Sequence, residues 1–478
     1  MKLSNLLVAI ITVLSFSLSA KDIKLTETTN QFVITSKSLS EFTFVSHLSE
    51  ISTMRVKKDA NEFIKLIVGG YGENAKKGNA ELPVLEELIN VPFGSTVAIK
   101  ILDKEETIIS LSDYGIDNLI FPSQPSLSKS ENSEDVPFYF NDEYYNYDGF
   151  YTNDLVTTEL LGKMRGQQLA RLSVAPFSYN PTTNELKIVT KLEVKIIFKN
   201  IDSEGHKTNK QKYYSAEFNN LFKECINYIP SQEKDVITTY PVKYVIISDP
   251  AFESTLQPLV DWKTKKGFIV VEGYTNDPNV GNTTTSIHAF IKDMYDNPID
   301  GIAPTYLLIV GDDGQVPSFD NGQHLSDMYY CEFDGGGDFY PEMYYGRFSA
   351  TIPEEVQVQV QKTLTHEQYT FTDPSFLDEV VLVAGVDASM APTYGNGQIN
   401  YGTDNYFNVA HGLTVYNYLY GSGTPITSDM SQASAAIIAD VSAGVGFANY
   451  TAHCGSSGWS DPSFSTSDIS GLQNFDEY

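Results

Sequence analysis

Apolar and polar positions change their rhythm near the middle of this chain. Between residues 21 and 234 the apolar residues come mostly in short alternating runs, such as Phe32-Val33-Ile34-Thr35 and Phe42-Thr43-Phe44-Val45. Leu186-Lys187-Ile188-Val189 and Leu192-Glu193-Val194-Lys195-Ile196-Ile197-Phe198 repeat with period two, which predicts half-buried strands. Asn180-Pro181-Thr182-Thr183-Asn184 between such runs predicts a hairpin turn. This half is expected to be all-β.

From residue 242 strands and helices alternate. Val242 to Ile247 is a continuous apolar-rich run, as in a strand covered on both faces. Phe252, Leu256, Leu259 and Val260 recur at helical spacing, and Gly267 closes that helix. Strands are predicted at 268–271, 306–310, 380–383 and 445–450. Helices are predicted over 286–295 and 431–442, with Pro353 opening a longer one. The alternation predicts an α/β domain with a mostly parallel sheet and helices on both faces. The polar stretch Ser231-Gln232-Glu233-Lys234-Asp235 divides the two regimes. The expected organisation is a leader over 1–20, a β-rich domain over 21–234, and two α/β subdomains over 235–376 and 377–478, the last incomplete.

The leader is expected to be a signal peptide. Lys2 precedes the apolar run Leu6 to Leu14, and Ser17, Ser19 and Ala20 are small. Cleavage after Ser19 and after Ala20 both remain open. No later segment carries eighteen uninterrupted apolar residues, so no transmembrane anchor is expected. A length of 478 residues implies two or three domains. A formal net charge of −29 repels phosphate backbones, which argues against nucleic-acid partners. The three cysteines, Cys225, Cys331 and Cys454, form no CxxC pair. Neither a disulfide framework nor a thiolate zinc site is expected.

In α/β sheets chemistry gathers beyond the carboxyl ends of strands. Three such ends carry reactive groups: Asp312-Asp313, Asp387 and His453. His453 can serve as general acid or base; a strand-end histidine that only hydrogen-bonds a loop is the alternative. Asp387 can orient and charge-stabilise the imidazole, or merely cap a turn. Cys454 adjoins His453, and strand alternation would turn their side chains apart. Its backbone N–H is therefore the better candidate, as an oxyanion donor. The glycine-rich stretch from Asp334 to Glu342 spaces carboxylates as hard oxygen ligands suited to Ca²⁺, or is a solvated acidic turn.

At these residues the sequence resembles the gingipain family of cysteine peptidases, most closely its lysine-specific branch. The resemblance is carried by Leu259 to Phe268, by Asp334 to Arg347 with its Tyr-Pro-Glu-Met-Tyr core, by Asn449-Tyr450-Thr451-Ala452-His453, and by Gly458-Trp459-Ser460-Asp461-Pro462. Val174 to Pro181 is similar to the family's prodomain pattern. The resemblance implies a caspase-like fold, a Cys–His mechanism acting on protein or peptide substrates, and an inhibitory prodomain over 21–234. It implies that His453 is the catalytic histidine, assisted by Asp387, and that Thr451 lines the pocket for a basic side chain. It implies a structural calcium site at Asp312, Asp334, Asp338, Glu342 and the Tyr340 carbonyl. In the family the nucleophile lies in a Gly-Asn-Cys-Cys-like segment on the next strand, and no such segment occurs here. The chain ends at Tyr478 soon after His453, so it is expected to be a fragment, inactive as it stands. Lys234–Asp235 is the expected processing bond and fits a preference for lysine. The competing expectations are an inactive secreted binding or adhesion module on the same scaffold, and a metal-dependent hydrolase using Asp312, Asp313 and His453.

Overall fold

The structure is a computed structural model. It describes residues 21–58, 61–73, 75–125, 136–151, 153–230, 241–322, 324–335, 338–385, 391, 395–421, 430–475 and 477. The leader, the 231–240 connection with Lys234–Asp235, and Asp387 therefore lie outside the described residues. The chain divides into two compact units, 1–250 with 263–349 and 251–262 with 350–478.

The first unit begins with antiparallel β-structure. Glu185–Lys199 is its longest central strand, paired with Phe177–Asn180, Glu41–His47 and Thr96–Ser110. Its alternation is carried through: Leu186, Ile188, Thr190, Leu192, Val194, Ile196 and Phe198 are all buried. Leu186 and Ile188 enter one core with Ile51, Ile64 and Tyr179. Leu192 to Phe198 enter a second core with Phe42, Phe44 and Leu172. One strand thus ties two cores together, and each apolar side chain fully removed from water contributes about 1.5–3 kcal/mol.

This half is β-rich rather than exclusively β. Two helices, Ser203–Lys212 and Ala216–Phe222, close it. The first has no buried residue, so the sequence carries no apolar stripe there; its signal is the cap, Asp202 Oδ1 accepting from the Gly205 N–H at 2.9 Å. Ser215 caps the second helix in the same way.

The α/β part of the first unit is a parallel sheet in the order Ile269–Tyr274, Lys243–Ser248, Tyr306–Val310, Tyr344–Phe348. The last strand was not evident in sequence, because Tyr-Tyr-Gly-Arg-Phe at a sheet edge lacks a buried run. Helix Thr284–Asp296 starts in a Thr283–Ser286 capping box and buries Ile287, Ile291 and Tyr295. These pack with Val245, Ile247, Leu307 and Ile309 from the central strands.

In the second unit Glu379–Ala384 runs parallel between Thr414–Tyr418 and Phe447–Thr451. Val381 and Val383 pack with Ala433 and Ile437 of helix Met430–Ser442. Val380, Leu382 and Ala384 pack with Ile399 of helix Asn396–Asn405. Successive residues feed opposite cores, which is why this strand reads as a continuous apolar run. Pro353 stands in the first turn of helix Pro353–Gln368, as expected. Among the described residues no helix is long and apolar enough to cross a membrane.

Candidate active site

His453 stands just beyond the carboxyl end of Phe447–Thr451 and is exposed. Its main chain is held on two sides. The His453 carbonyl accepts from Tyr450 Oη at 2.9 Å and from the Ser460 N–H at 3.2 Å. Tyr450 stacks on Trp459, with ring centroids 4.5 Å apart and planes 6° apart. Burial pushes the Tyr450 hydroxyl above its ordinary value, which keeps it a donor. Asp461 N–H in turn donates to Tyr450 Oη. The strand itself ends at Thr451, so strand alternation does not extend to His453 and Cys454. Cys454 instead begins a small antiparallel sheet, paired with Trp459, and Gly455 pairs with Gly458. Cys454 is exposed, whereas Cys225 and Cys331 are buried. Thr451 Oγ1 accepts from Asn449 Nδ2 at 3.0 Å and donates to Gln398 Oε1 at 3.3 Å. Beside it Gly385 donates its N–H to the Thr451 carbonyl at the end of the neighbouring strand.

Asp312 and Asp313 follow the Tyr306–Val310 strand, in the other unit and on the other sheet. Both act as turn caps: Asp312 Oδ1 accepts from Asp313 N–H, and Asp313 Oδ1 accepts from Ser318 N–H. Among the described residues no three of His, Cys, Asp and Glu stand close enough together to hold a metal ion.

The acidic loop is engaged by the β-rich half. Asp338 Oδ2 accepts from the Lys163 N–H at 2.7 Å, and Asp338 Oδ1 accepts from the Tyr340 N–H at 3.0 Å. Lys163 Nζ lies 3.2 Å from Asp334 Oδ1. Tyr340 packs beside Leu169, Phe218 and Phe222. Glu342 is 1% exposed; its Oε2 accepts from the Phe333 N–H, and its Oε1 is buried without a hydrogen-bond partner. Burial first, and the nearby Asp334 carboxylate second, push the Glu342 carboxyl up to about 9. A buried, unpartnered carboxylate oxygen facing a second carboxylate fits a cation at Asp334 and Glu342. Asp338 spends both oxygens on main-chain donors, and Asp312 Oδ1 accepts from the Asp313 N–H.

Residue type alone does not mark Tyr450, which donates to the His453 carbonyl, or Arg165, which is 1% exposed. Arg165-Gly166 between two alternating runs was visible as a turn signal, but nothing in the sequence marks the arginine as buried.

A β-rich region followed by parallel α/β sheets, matched by a propeptide and a peptidase family model, is a propeptide joined to a peptidase domain. The chain belongs to peptidase family C25: the family model matches residues 237–478, just over half of the chain, and the C25 propeptide model matches 29–222. Lys-gingipain W83 of Porphyromonas gingivalis is 34% identical over 468 residues, covering 97% of this chain and 26% of that protein. Gingipain R2 of the same species is 27% identical over 431 residues, covering 84% of this chain and 55% of that one. A solved structure giving insight into the zymogenic latency of gingipain K from Porphyromonas gingivalis is 31% identical, covers 38% of this chain and 99% of that chain, and has a TM-score of 0.37. The chain spans about a quarter of the length of its Lys-gingipain relatives.

Proposed function

We propose that this chain is precursor sequence of an exported cysteine endopeptidase, with residues 21–234 as its inhibitory prodomain. The observation that carries the reading is His453, exposed beyond a parallel strand end with its main chain pinned by Tyr450 and Ser460, in a chain of this family. A thiolate attacks the peptide carbonyl carbon. The oxyanion faces the Cys454 backbone N–H, and His453 protonates the leaving amine. Asp387 keeps the imidazole charged and oriented. Cys225 and Cys331 are buried, which argues against either as that thiolate. Thr451 walls the pocket before the scissile bond and suits the compact ammonium of lysine. The higher identity to Lys-gingipain than to gingipain R2 supports that preference.

The test is expression of the complete reading frame, sequencing of the mature N-terminus, and profiling of peptides with lysine, arginine or neutral residues before the bond. The expected result is cleavage after lysine, inhibited by added 21–234 segment. Arginine or neutral preference would overturn the specificity. No hydrolysis at all would favour an inactive binding module.

We further propose that Ca²⁺ binds the Asp334–Glu342 loop, with Asp334 and Glu342 as its first ligands, and that Asp338 and Asp312 turn from their main-chain donors to complete it with the Tyr340 carbonyl. The ion would relieve the unpartnered Glu342 Oε1 and fix a glycine-rich loop. Binding to the folded state alone stabilises by about 2.7 kcal/mol at a hundredfold excess over Kd. Tm is therefore expected to rise with calcium and fall with chelator, and Asp334→Ala to abolish the shift. A Tm indifferent to calcium in the unaltered chain would rule the site out.

A further inference from the structure

The tip of one hairpin in the β-rich half carries an unusual residue. Strands Val156–Met164 and Gln167–Val174 are joined by Arg165-Gly166, with φ of 51° and 69°. Both are in the left-handed region, as a two-residue hairpin turn requires. Glycine takes that conformation freely; arginine does not, and such a residue persists where its surroundings over-determine it.

The surroundings are plain. The Arg165 guanidinium is buried, and its four hydrogen bonds all end on main-chain carbonyls. Nε donates to Tyr213 O at 2.9 Å and Nη2 to Tyr214 O at 3.4 Å, both in the closing helical segment of the β-rich half. Nη1 donates to Pro304 O at 2.5 Å and to Glu342 O at 3.0 Å, both in the α/β part of the same unit. The guanidinium carbon lies 5.2 Å from the Tyr295 ring centre and 5.3 Å from that of Phe218. Around it Tyr213 stacks on Tyr295 at 4.7 Å and Phe218 packs on Tyr344 at 4.4 Å. A Cβ added to Gly166 would stand 2.7 Å from the Tyr213 ring, so the tip fits closely. One side chain thus joins the hairpin, the helical end of the β-rich half, and the α/β sheet.

We propose that Arg165 is the anchor that keeps the propeptide on the peptidase domain after the 231–240 connection is cut, so that cutting and release are separate events. The inference rests on the reading of 21–234 as a removable propeptide. The neighbouring Lys163–Asp334 pair is substantially exposed, with side chains 45% and 32% accessible, and contributes little. Arg165 is desolvated, saturated with carbonyl acceptors and sandwiched between aromatic faces, the character of an interface hot spot. The receiving pocket recognises a planar guanidinium. Lysine, a point charge with three donors, cannot span acceptors on both sides of it. Arginine also stays charged at every physiological pH, so acidification does not loosen this contact.

The test uses the full chain with a site-specific protease sequence replacing residues 231–240. After cutting, dissociation of the two pieces is followed by size-exclusion chromatography over a dilution series. The unaltered protein is expected to stay together. Arg165→Ala and Arg165→Lys are expected to raise the apparent Kd by about thirtyfold or more, the range of a buried hot spot. Lys163→Ala is expected to change it by less than about fivefold. An unfolded hairpin would give the same result for Arg165→Ala, so Tyr295→Leu, on the receiving side and with its own Tm recorded, is measured too and is expected to weaken the association. Unchanged association in Arg165→Ala or in Tyr295→Leu overturns the proposal, as does separation of the unaltered pieces at the same dilution as the variants. Failure of the propeptide reading shows differently, as a cut piece that stays bound yet does not inhibit the complete enzyme.

Discussion

His453→Ala is expected to lower kcat of the complete enzyme by about 10²–10⁴-fold with little change in KM, because it removes the proton donor for the leaving amine. The hydrogen bonds from Tyr450 Oη and the Ser460 N–H end on the His453 carbonyl oxygen, so this main-chain support survives loss of the imidazole. Circular dichroism and Tm are expected to match the unaltered protein. Full activity in His453→Ala would remove the Cys–His mechanism altogether.

Gly385→Ala is expected to damage the same site from below. A Cβ at this position would lie 2.3 Å from Ala452 Cβ, 2.7 Å from Asp461 O and 2.9 Å from Tyr450 Oη. Ala452 and Asp461 flank the His453 loop, and Tyr450 pins it, so all three neighbours belong to the site's own support. No flexible side-chain end is available to give way. Overpacking of this kind costs about 1–3 kcal/mol, and the fall in activity is expected to exceed what that loss of stability explains. Gly397→Ala is the control: nothing lies within 4 Å of the added carbon, and the position is inside helix Asn396–Asn405. It is expected to be neutral or slightly stabilising. A Gly385→Ala protein with unaltered Tm and kcat would show that the loop is not held as described.

The parts of this fold that sequence declared are those where one periodicity decides burial. Glu185–Lys199 alternates because one face is covered, and Glu379–Ala384 is continuously apolar because both are. Where tertiary partners decide, the sequence was silent. Ser203–Lys212 has no apolar stripe, Tyr344–Phe348 is a strand because a parallel edge accepts it, and Cys454–Gly455 pairs through a turn of its own. The candidate site divides likewise. His453 was legible as a reactive group at a strand end. Asp312 and Asp313 had the same look, yet their carboxylates close turns on a different sheet. Arg165 was illegible, since the main-chain carbonyls that surround it leave no trace in residue type.

The stacked Tyr450–Trp459 pair also makes the protein its own optical instrument. There are two tryptophans in the chain. Trp262 donates its indole N–H to Glu367 at 2.9 Å. Trp459 lies in the rim of the His453 loop, against the ring whose hydroxyl sets that loop's position. Replacing Trp262 with phenylalanine leaves a single tryptophan beside the histidine. Its emission is expected to change when a peptide binds, without a label and without a turnover.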